Sequence, residues 1–240
     1  MSRSSHLRKS WEGRAGSWDA HVTTSPAFSK ILDAILTAAA PHSGDVVVDL
    51  GCGSGFVSLP IAPRVRSVLG IDFAPSMLTM LKTEAEQRRL PNITTVIADL
   101  ATLELQPDSC DLIVSSYVLH HLTDDQKADL LLKANEWLRP GGRIVICDIM
   151  LGRGATAEDR AIIRGKIAVL LRKGPGGIWR IVKNLVRYGL RRGSELPAPP
   201  EFWTNALTEA GFCSVRFERV VNEAGLVYGV GKQLTFAKNL

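Results

Sequence analysis

Three glycines alternate with small residues in "VVVDLGCGSGF", directly after a β-branched run: Gly51, Gly53 and Gly55. Alternating glycines let a chain bend sharply and bring its backbone against a ligand with no Cβ in the way. A short glycine run is also compatible with a tight turn that binds nothing. The dinucleotide fingerprint needs a further glycine at position 56, where Phe56 stands, and no GK[ST] follows that would make a P-loop. Asp49, just before the turn, would oppose a pyrophosphate or cap backbone amides. These features point to a ligand without phosphates. The next candidate strand ends in "GIDF", where Asp72 can accept hydrogen bonds from both hydroxyls of a ribose. A third ends at Asp99, placed to accept from an adenine amino group. Either acid alone reads equally well as a solvated strand end or a helix cap. Glycine and acid features at three successive strand ends favour a nucleoside.

Those residues need an alternating framework to bring them together, and the chain has one. Val46 to Leu50, "SVLGID", "ITTVIADL", "CDLIVSSYVL" and "RIVICDIM" read as five strands. Helical segments separate them: "FVSLPIAPRV", "APSMLTMLKTEAEQRRL" with Pro75 in its first turn, and "TDDQKADLLLKANEWL". The last opens on Thr123 with Gln126 three residues on, a capping-box pattern, and "RPGG" stops it. This rhythm predicts a parallel, doubly wound α/β sheet with right-handed crossovers. After Pro200, "PEFWTNALTEAGF" is a helix, and "SVRFERVV" with "GLVYGVGK" forms an antiparallel pair at one sheet edge. Residues 6 to 40 read as helical, with Phe28, Ile31, Leu32, Ile35 and Leu36 at helical spacing.

The bulk properties fit one globular domain: 240 residues, 45% hydrophobic, 22% charged, formal net charge +5. The polar N-terminus lacks the apolar core of a signal peptide, and no run approaches the ~18 apolar residues of a membrane span. Four scattered cysteines show neither a CxxC nor a metal-ligand spacing, which predicts reduced thiols in a cytoplasmic protein and no bound metal.

The segments "VVVDLGCGSG", "VLGIDFAPSML", "IADL", "CDLIVSSYVLHHL" and "LRPGGRIVICD", in order from Val46 to Met150, resemble the successive motifs of the class I S-adenosylmethionine-dependent methyltransferases. Among them the chain is most similar to the small-molecule group that includes the ubiquinone and menaquinone biosynthesis enzymes. The resemblance implies a Rossmann-like, mostly parallel seven-stranded sheet, with S-adenosyl-L-methionine as cofactor and S-adenosyl-L-homocysteine as product. It implies that Gly51, Gly53 and Gly55, beside Asp49, wrap the methionine part and that Asp72 holds the ribose. Phe73 and Met77 would lie beside the adenine, Asp99 and Leu100 at its edge, and Ser115, Ser116 and Tyr117 on the sulfonium side. The chain departs from the base-amino methyltransferases, having "SSYV" where they carry an Asn/Asp-Pro-Pro-Tyr tetrapeptide. It also lacks the Pro-Cys of the cytosine-C5 enzymes. Ser115 and Ser116 are poor magnesium ligands.

Transfer of an activated methyl group needs alignment, exclusion of water and, for some acceptors, a base. His120 and His121 are the candidate bases, since a free imidazole titrates near about 6.5; either one equally suits packing or capping. Asp148 and Tyr117 are further candidates.

The segment Arg160 to Gly193 holds ten Lys or Arg residues and no Asp or Glu. On a helical wheel, Ile178, Ile181, Val182, Leu185 and Val186 gather opposite Arg180, Lys183, Arg187 and Arg191, with Trp179 and Tyr188 placed for a pocket wall, an interface or a core. Three readings stand: a lid over the substrate, a peripheral contact with anionic membrane through residues 160–193, and a site for an acidic or phosphorylated acceptor. Nucleic acid is disfavoured, since no RNA-binding module accompanies the stripe. The expected organisation is an N-terminal helical cap over 1–43, a cofactor-binding core over 44–151, a basic helical lid over 152–200, and a helix with the strand pair over 201–240. Trp11, Trp18 and His21 of the cap are placed to close the pocket or simply to pack. The expected activity is methyl transfer to a small, hydrophobic acceptor. A non-catalytic S-adenosylmethionine-binding regulator and a nicotinamide-dependent oxidoreductase are the alternatives, the second opposed by Phe56.

Overall fold

The computed structural model describes residues 11–13, 22, 24–152, 156–172, 174–176, 178–179 and 195–233. Apart from Ile178 and Trp179, the amphipathic segment 178–193 lies outside them, as do Trp18 and His21. The described chain builds a seven-stranded sheet in the order β3-β2-β1-β4-β5-β7-β6. Its strands are β1 (Val46–Leu50), β2 (Ser67–Asp72), β3 (Ile93–Ile97), β4 (Cys110–Ser116), β5 (Leu138–Ile149), β6 (Cys213–Val221) and β7 (Ala224–Val230). β1 to β5 pair in parallel, and β7 pairs antiparallel with both β5 and β6. The chain runs outward from β1 through β2 to β3, then returns to β4 on the other flank. The β1/β4 boundary is thus the topological switch point, where a crevice opens beyond the carboxyl ends of the strands.

Alternation along each strand divides the core between the two faces. Val48, Ile113, Ile144 and Ile146 point into a cluster closed by Trp137 and Trp203. Their neighbours Val47, Val114 and Val145 point the other way, against Phe28, Ile31 and Ile35 of α1 (Pro26–Ala39). The glycine turn leads into α2 (Ser58–Ile61), which tightens at once into a 3₁₀ turn, Ala62–Arg64. The sequence reading made this one longer helix; Pro63 lacks the N–H that would continue it. α3 (Pro75–Gln87) follows β2, and α4 (Asp124–Trp137) follows β4 behind the predicted Thr123–Gln126 capping box.

β5 also differs from expectation. It begins at Leu138, so "RPGG" lies inside the strand, and the register with β4 shifts between Cys110 and Leu112. Gly141, at φ 79°, adopts the left-handed conformation in that irregular stretch. Beyond β5, α5 (Ala157–Leu171) is anchored by its own capping box, Thr156 with Asp159. Arg219 binds Glu158, and Lys166 pairs with Glu223. α6 (Pro200–Glu209) returns the chain to the sheet. Cys52, Cys110 and Cys147 are buried and Cys213 is exposed, all as free thiols. No helix among the described residues is long and apolar enough to cross a membrane.

Candidate functional site

Beyond the carboxyl ends of β1, β2 and β4 lies a cavity of about 630 Å³, counted to its open mouth. Its base is the turn after β1. The amides of Gly51 and Cys52 donate to the Ile71 carbonyl at 2.7 and 3.0 Å, which staples the turn to the end of β2. Gly51 has φ 73°, and a Cβ there would meet the Val118 side chain at 2.5 Å. Gly53 has φ 53°, with no atom nearer than the Met77 sulfur at 4.0 Å from an added Cβ. The first glycine therefore makes room for the wall, and the second leaves room for a ligand. Gly55 does not reach the cavity and packs instead toward Leu59 and Leu81.

Two carboxylates line this base. Asp72 accepts from the Gly53 amide (3.0 Å) through one oxygen and from the Ala74 amide (2.9 Å) through the other. The carboxylate keeps lone-pair capacity for a ligand hydroxyl. Burial pushes its carboxyl above the usual range, while the Ala74, Gly53 and Phe73 amides oppose the rise. Asp49, 1% exposed, accepts a 2.6 Å hydrogen bond from the Ser58 hydroxyl. Burial, reinforced by the Asp72 charge and opposed by Ser58, raises its pKa to about 7. No Lys or Arg stands among the described lining residues. The base of the cavity is therefore suited to a cation and hostile to an anion.

The other walls are apolar and largely aromatic. Phe73 follows β2 and Met77 lies in the first turn of α3; Ser116 ends β4, with Tyr117, Val118 and His121 after it; and Trp11, Val22, Phe28, Phe56 and Val57 close the remaining side. Tyr117 has φ 55° and its amide donates to the Cys147 carbonyl at 2.9 Å. A bulky residue in that conformation is strained and persists only where its surroundings hold it. Here the strain turns the ring toward Phe28, at 5.1 Å between centroids, and Phe28 meets Phe56 edge-on at 5.5 Å. Burial raises the Tyr117 phenol further from ionisation. The Ser116 hydroxyl is buried at the cavity and has no hydrogen-bond partner among the described residues. A buried orphan hydroxyl costs free energy until a ligand satisfies it.

The two candidate bases part company. His121 lines the cavity, edge-on to Trp11 at 5.8 Å. His120 lies behind it, 5% exposed, with Nδ1 2.5 Å from an oxygen of Asp148. Burial alone would raise the Asp148 carboxyl, but the His120 charge and hydrogen bond, with the Ile149 and His120 amides, hold it below its ordinary value.

Asp49, Gly51, Gly53, Asp72, Phe73, Met77, Ser116, Tyr117 and His121 thus line one cavity. Asp99, Leu100 and Ser115 do not line the cavity. Asp99 caps the 3₁₀ turn Leu100–Thr102 by accepting from the Ala101 amide, and Leu100 joins the core. The Ser115 hydroxyl donates to the Leu50 carbonyl across the β1–β4 seam. Sequence reading missed the lining roles of Val22, Cys52, Ser54, Val57 and Val118. Phe28 and Phe56 were legible only as a helix-face residue and as a missing glycine.

Residues 47–142 match the family described as a methyltransferase domain. An uncharacterized methyltransferase of Geobacillus kaustophilus is 32% identical over 116 residues, 48% of this chain and 52% of that protein. A ubiquinone biosynthesis O-methyltransferase of Coxiella burnetii is 27% identical over 149 residues, 62% of this chain and 61% of that one. The chain spans about half the length of the Geobacillus relative. A solved putative S-adenosyl-L-methionine-dependent methyltransferase from Methanococcus maripaludis superposes with a TM-score of 0.60 at 22% identity. The superposition covers 92% of this chain and 93% of that one, and it shows the shared fold.

Proposed function

From the class I S-adenosylmethionine-dependent methyltransferase domain that this chain carries, we propose that the protein moves a methyl group from S-adenosyl-L-methionine to a small, hydrophobic acceptor. The observation that carries this reading is the two-part cavity: two buried carboxylates and a glycine turn at its base, aromatic walls above.

The cofactor is a nucleoside joined to an amino acid and carries an ammonium and a sulfonium. The residues present fit it on three counts. Asp49 and Asp72 supply negative charge with no Lys or Arg among the described lining, Gly53 leaves the turn open, and the Ser116 hydroxyl awaits a partner. Asp72 would hold the ribose hydroxyls, Phe73 and Met77 the adenine, and the turn beside Asp49 the methionine part. Asp99, Leu100, Gly55 and Ser115 stand outside the lining and would support the site from behind.

When bound, the cofactor supplies a methyl group already activated for in-line displacement. The protein's share is then alignment and dryness. Phe28, Phe56 and Tyr117 form an apolar wall that excludes water and favours a flat, apolar acceptor. Where that acceptor carries a proton, His121 is the group placed to take it. The Coxiella relative's role in ubiquinone biosynthesis supports a lipophilic, oxygen-bearing acceptor.

The test is transfer of label from methyl-labelled S-adenosyl-L-methionine into a fractionated cell extract. Label entering the organic phase is the expected result. Label entering only the aqueous phase would overturn the hydrophobic acceptor. Cofactor binding with no transfer into either phase would leave a regulator rather than an enzyme.

A further inference from the structure

The segment 152–199 leaves the sheet after β5 and returns before α6, and both of its roots meet one residue. On the outgoing side, Asp148 accepts from the His120 amide at 3.0 Å and lies 2.5 Å from the His120 ring nitrogen. On the returning side, the Leu196 amide donates to the His120 carbonyl at 2.5 Å. The returning strap is held a second time by Lys127 of α4. Its Nζ donates to the Leu196 carbonyl at 2.6 Å and to Asp124 at 2.7 Å. Lys127 is fully buried, with its ammonium 5.5 Å from the Phe202 ring centroid and 5.8 Å from that of Trp203. A lysine is placed this deeply only when each of its donors has a task.

From this arrangement, and on the reading of the cavity as the methyl-transfer site, we infer that Lys127 and His120 are positioning residues. Together they latch both roots of the 152–199 segment to the turn Leu119–His121, and so fix the His121 imidazole at the cavity wall. His120 and His121 are covalent neighbours with ring centroids 4.2 Å apart, so a displaced His120 backbone carries His121 with it. The pairing also explains why two adjacent histidines serve different ends. One is buried against a carboxylate as an anchor, and the other faces the cavity. Lys127 does not line the cavity; its link to the His120 carbonyl runs through Leu196 of the strap.

Lys127→Met is the informative variant. An apolar side chain of similar length removes the latch; Asp124 is largely exposed and stays hydrated, while the Leu196 carbonyl loses its donor. Hydrogen exchange on the full chain would be read over residues 195–199 and 118–122, together with the NMR resonances and titration of the His121 ring. S-adenosyl-L-homocysteine binding would be followed by calorimetry. The expected result is exchange at least tenfold faster in both segments and displaced His121 resonances. The melting temperature should fall modestly with the fold retained, and the dissociation constant should stay within twofold. Faster exchange at 195–199 with 118–122 and His121 unmoved would overturn the inference, as would no change in either segment. A second variant, Asp148→Asn, loosens the outgoing root and should move the same His121 resonances. If it leaves them in place, the two-root latch is refuted. The exchange and NMR readings need no ligand. A wild-type protein that fails to bind S-adenosyl-L-homocysteine therefore sinks the methyltransferase reading and leaves the latch to be judged separately.

Discussion

Asp72 carries two duties at once, and that sets what its loss should do. It fixes the turn by accepting from Gly53 and Ala74, and it lines the cavity. Asp72→Ala should weaken S-adenosyl-L-homocysteine binding by about 1.5–3 kcal/mol, the worth of hydrogen bonds to a charged group. Calorimetry checks this, and an unchanged affinity would remove Asp72 from the ribose site. Asp49 adds a proton to the balance. With a pKa of about 7 in the free cavity, it is mostly neutral at pH 6. A cationic ligand favours the ionised form, so binding S-adenosyl-L-methionine at pH 6 should release protons, and affinity should rise toward pH 7.5 and then level. Titrations in two buffers of different ionisation enthalpy measure the release; none at pH 6 would mean that Asp49 does not sense the cation. The acids and glycines of this site were legible because each sits at a strand end beside a turn. The aromatic wall was not, because Phe28 is spaced as a helix-face residue and only the folded chain brings it to Phe56 and Tyr117.

The turn after β1 behaves as an element whose glycines are not equivalent. An added Cβ at position 51 would strike the Val118 side chain at 2.5 Å, whereas at position 53 it would meet only the Met77 sulfur, at 4.0 Å. Both positions have positive φ, so both substitutions strain the backbone. Gly51→Ala should therefore lower stability by more than Gly53→Ala, by about 1–3 kcal/mol for overpacking alone. Gly53→Ala should instead spend its effect on cofactor affinity. Urea denaturation and calorimetry on the two variants separate these outcomes, and equal stability losses would show that Val118 yields. The elements were largely readable in advance: apolar runs marked the strands, and Thr123 with Gln126 marked the start of α4. Where reading failed, backbone chemistry decided. Pro63 cut the first helix short, and the left-handed Gly141 let β5 take up "RPGG", which residue type alone marked as a stop.

At the scale of the molecule, buried carboxylates set the response to pH in two opposite directions. Burial tends to raise Asp45, but Arg143 and the His42 amide hold it below its ordinary value; Asp148 is likewise held down by His120. Groups depressed in the folded state contribute stability above their unfolded pKa and lose it as pH falls through the folded one, which places the acid limb below about pH 4. Asp49 and Asp72 are raised, so the folded chain keeps protons that the unfolded chain has released. Their contribution declines as pH climbs, and for Asp49 the decline runs from about 4 to about 7. At about 1.4 kcal/mol per pH unit, the Asp49 window amounts to roughly 4 kcal/mol. The free protein should therefore be most stable in mild acid and should weaken toward neutrality. Asp49→Asn should flatten that descent while leaving the acid limb in place. Urea midpoints measured from pH 3 to pH 8 on both proteins test this, and parallel curves would show that Asp49 titrates alike in the folded and unfolded chain. The site's readiness for a cation and the molecule's weakness at neutral pH then have one cause: a carboxylate kept out of water until a positively charged ligand arrives beside it.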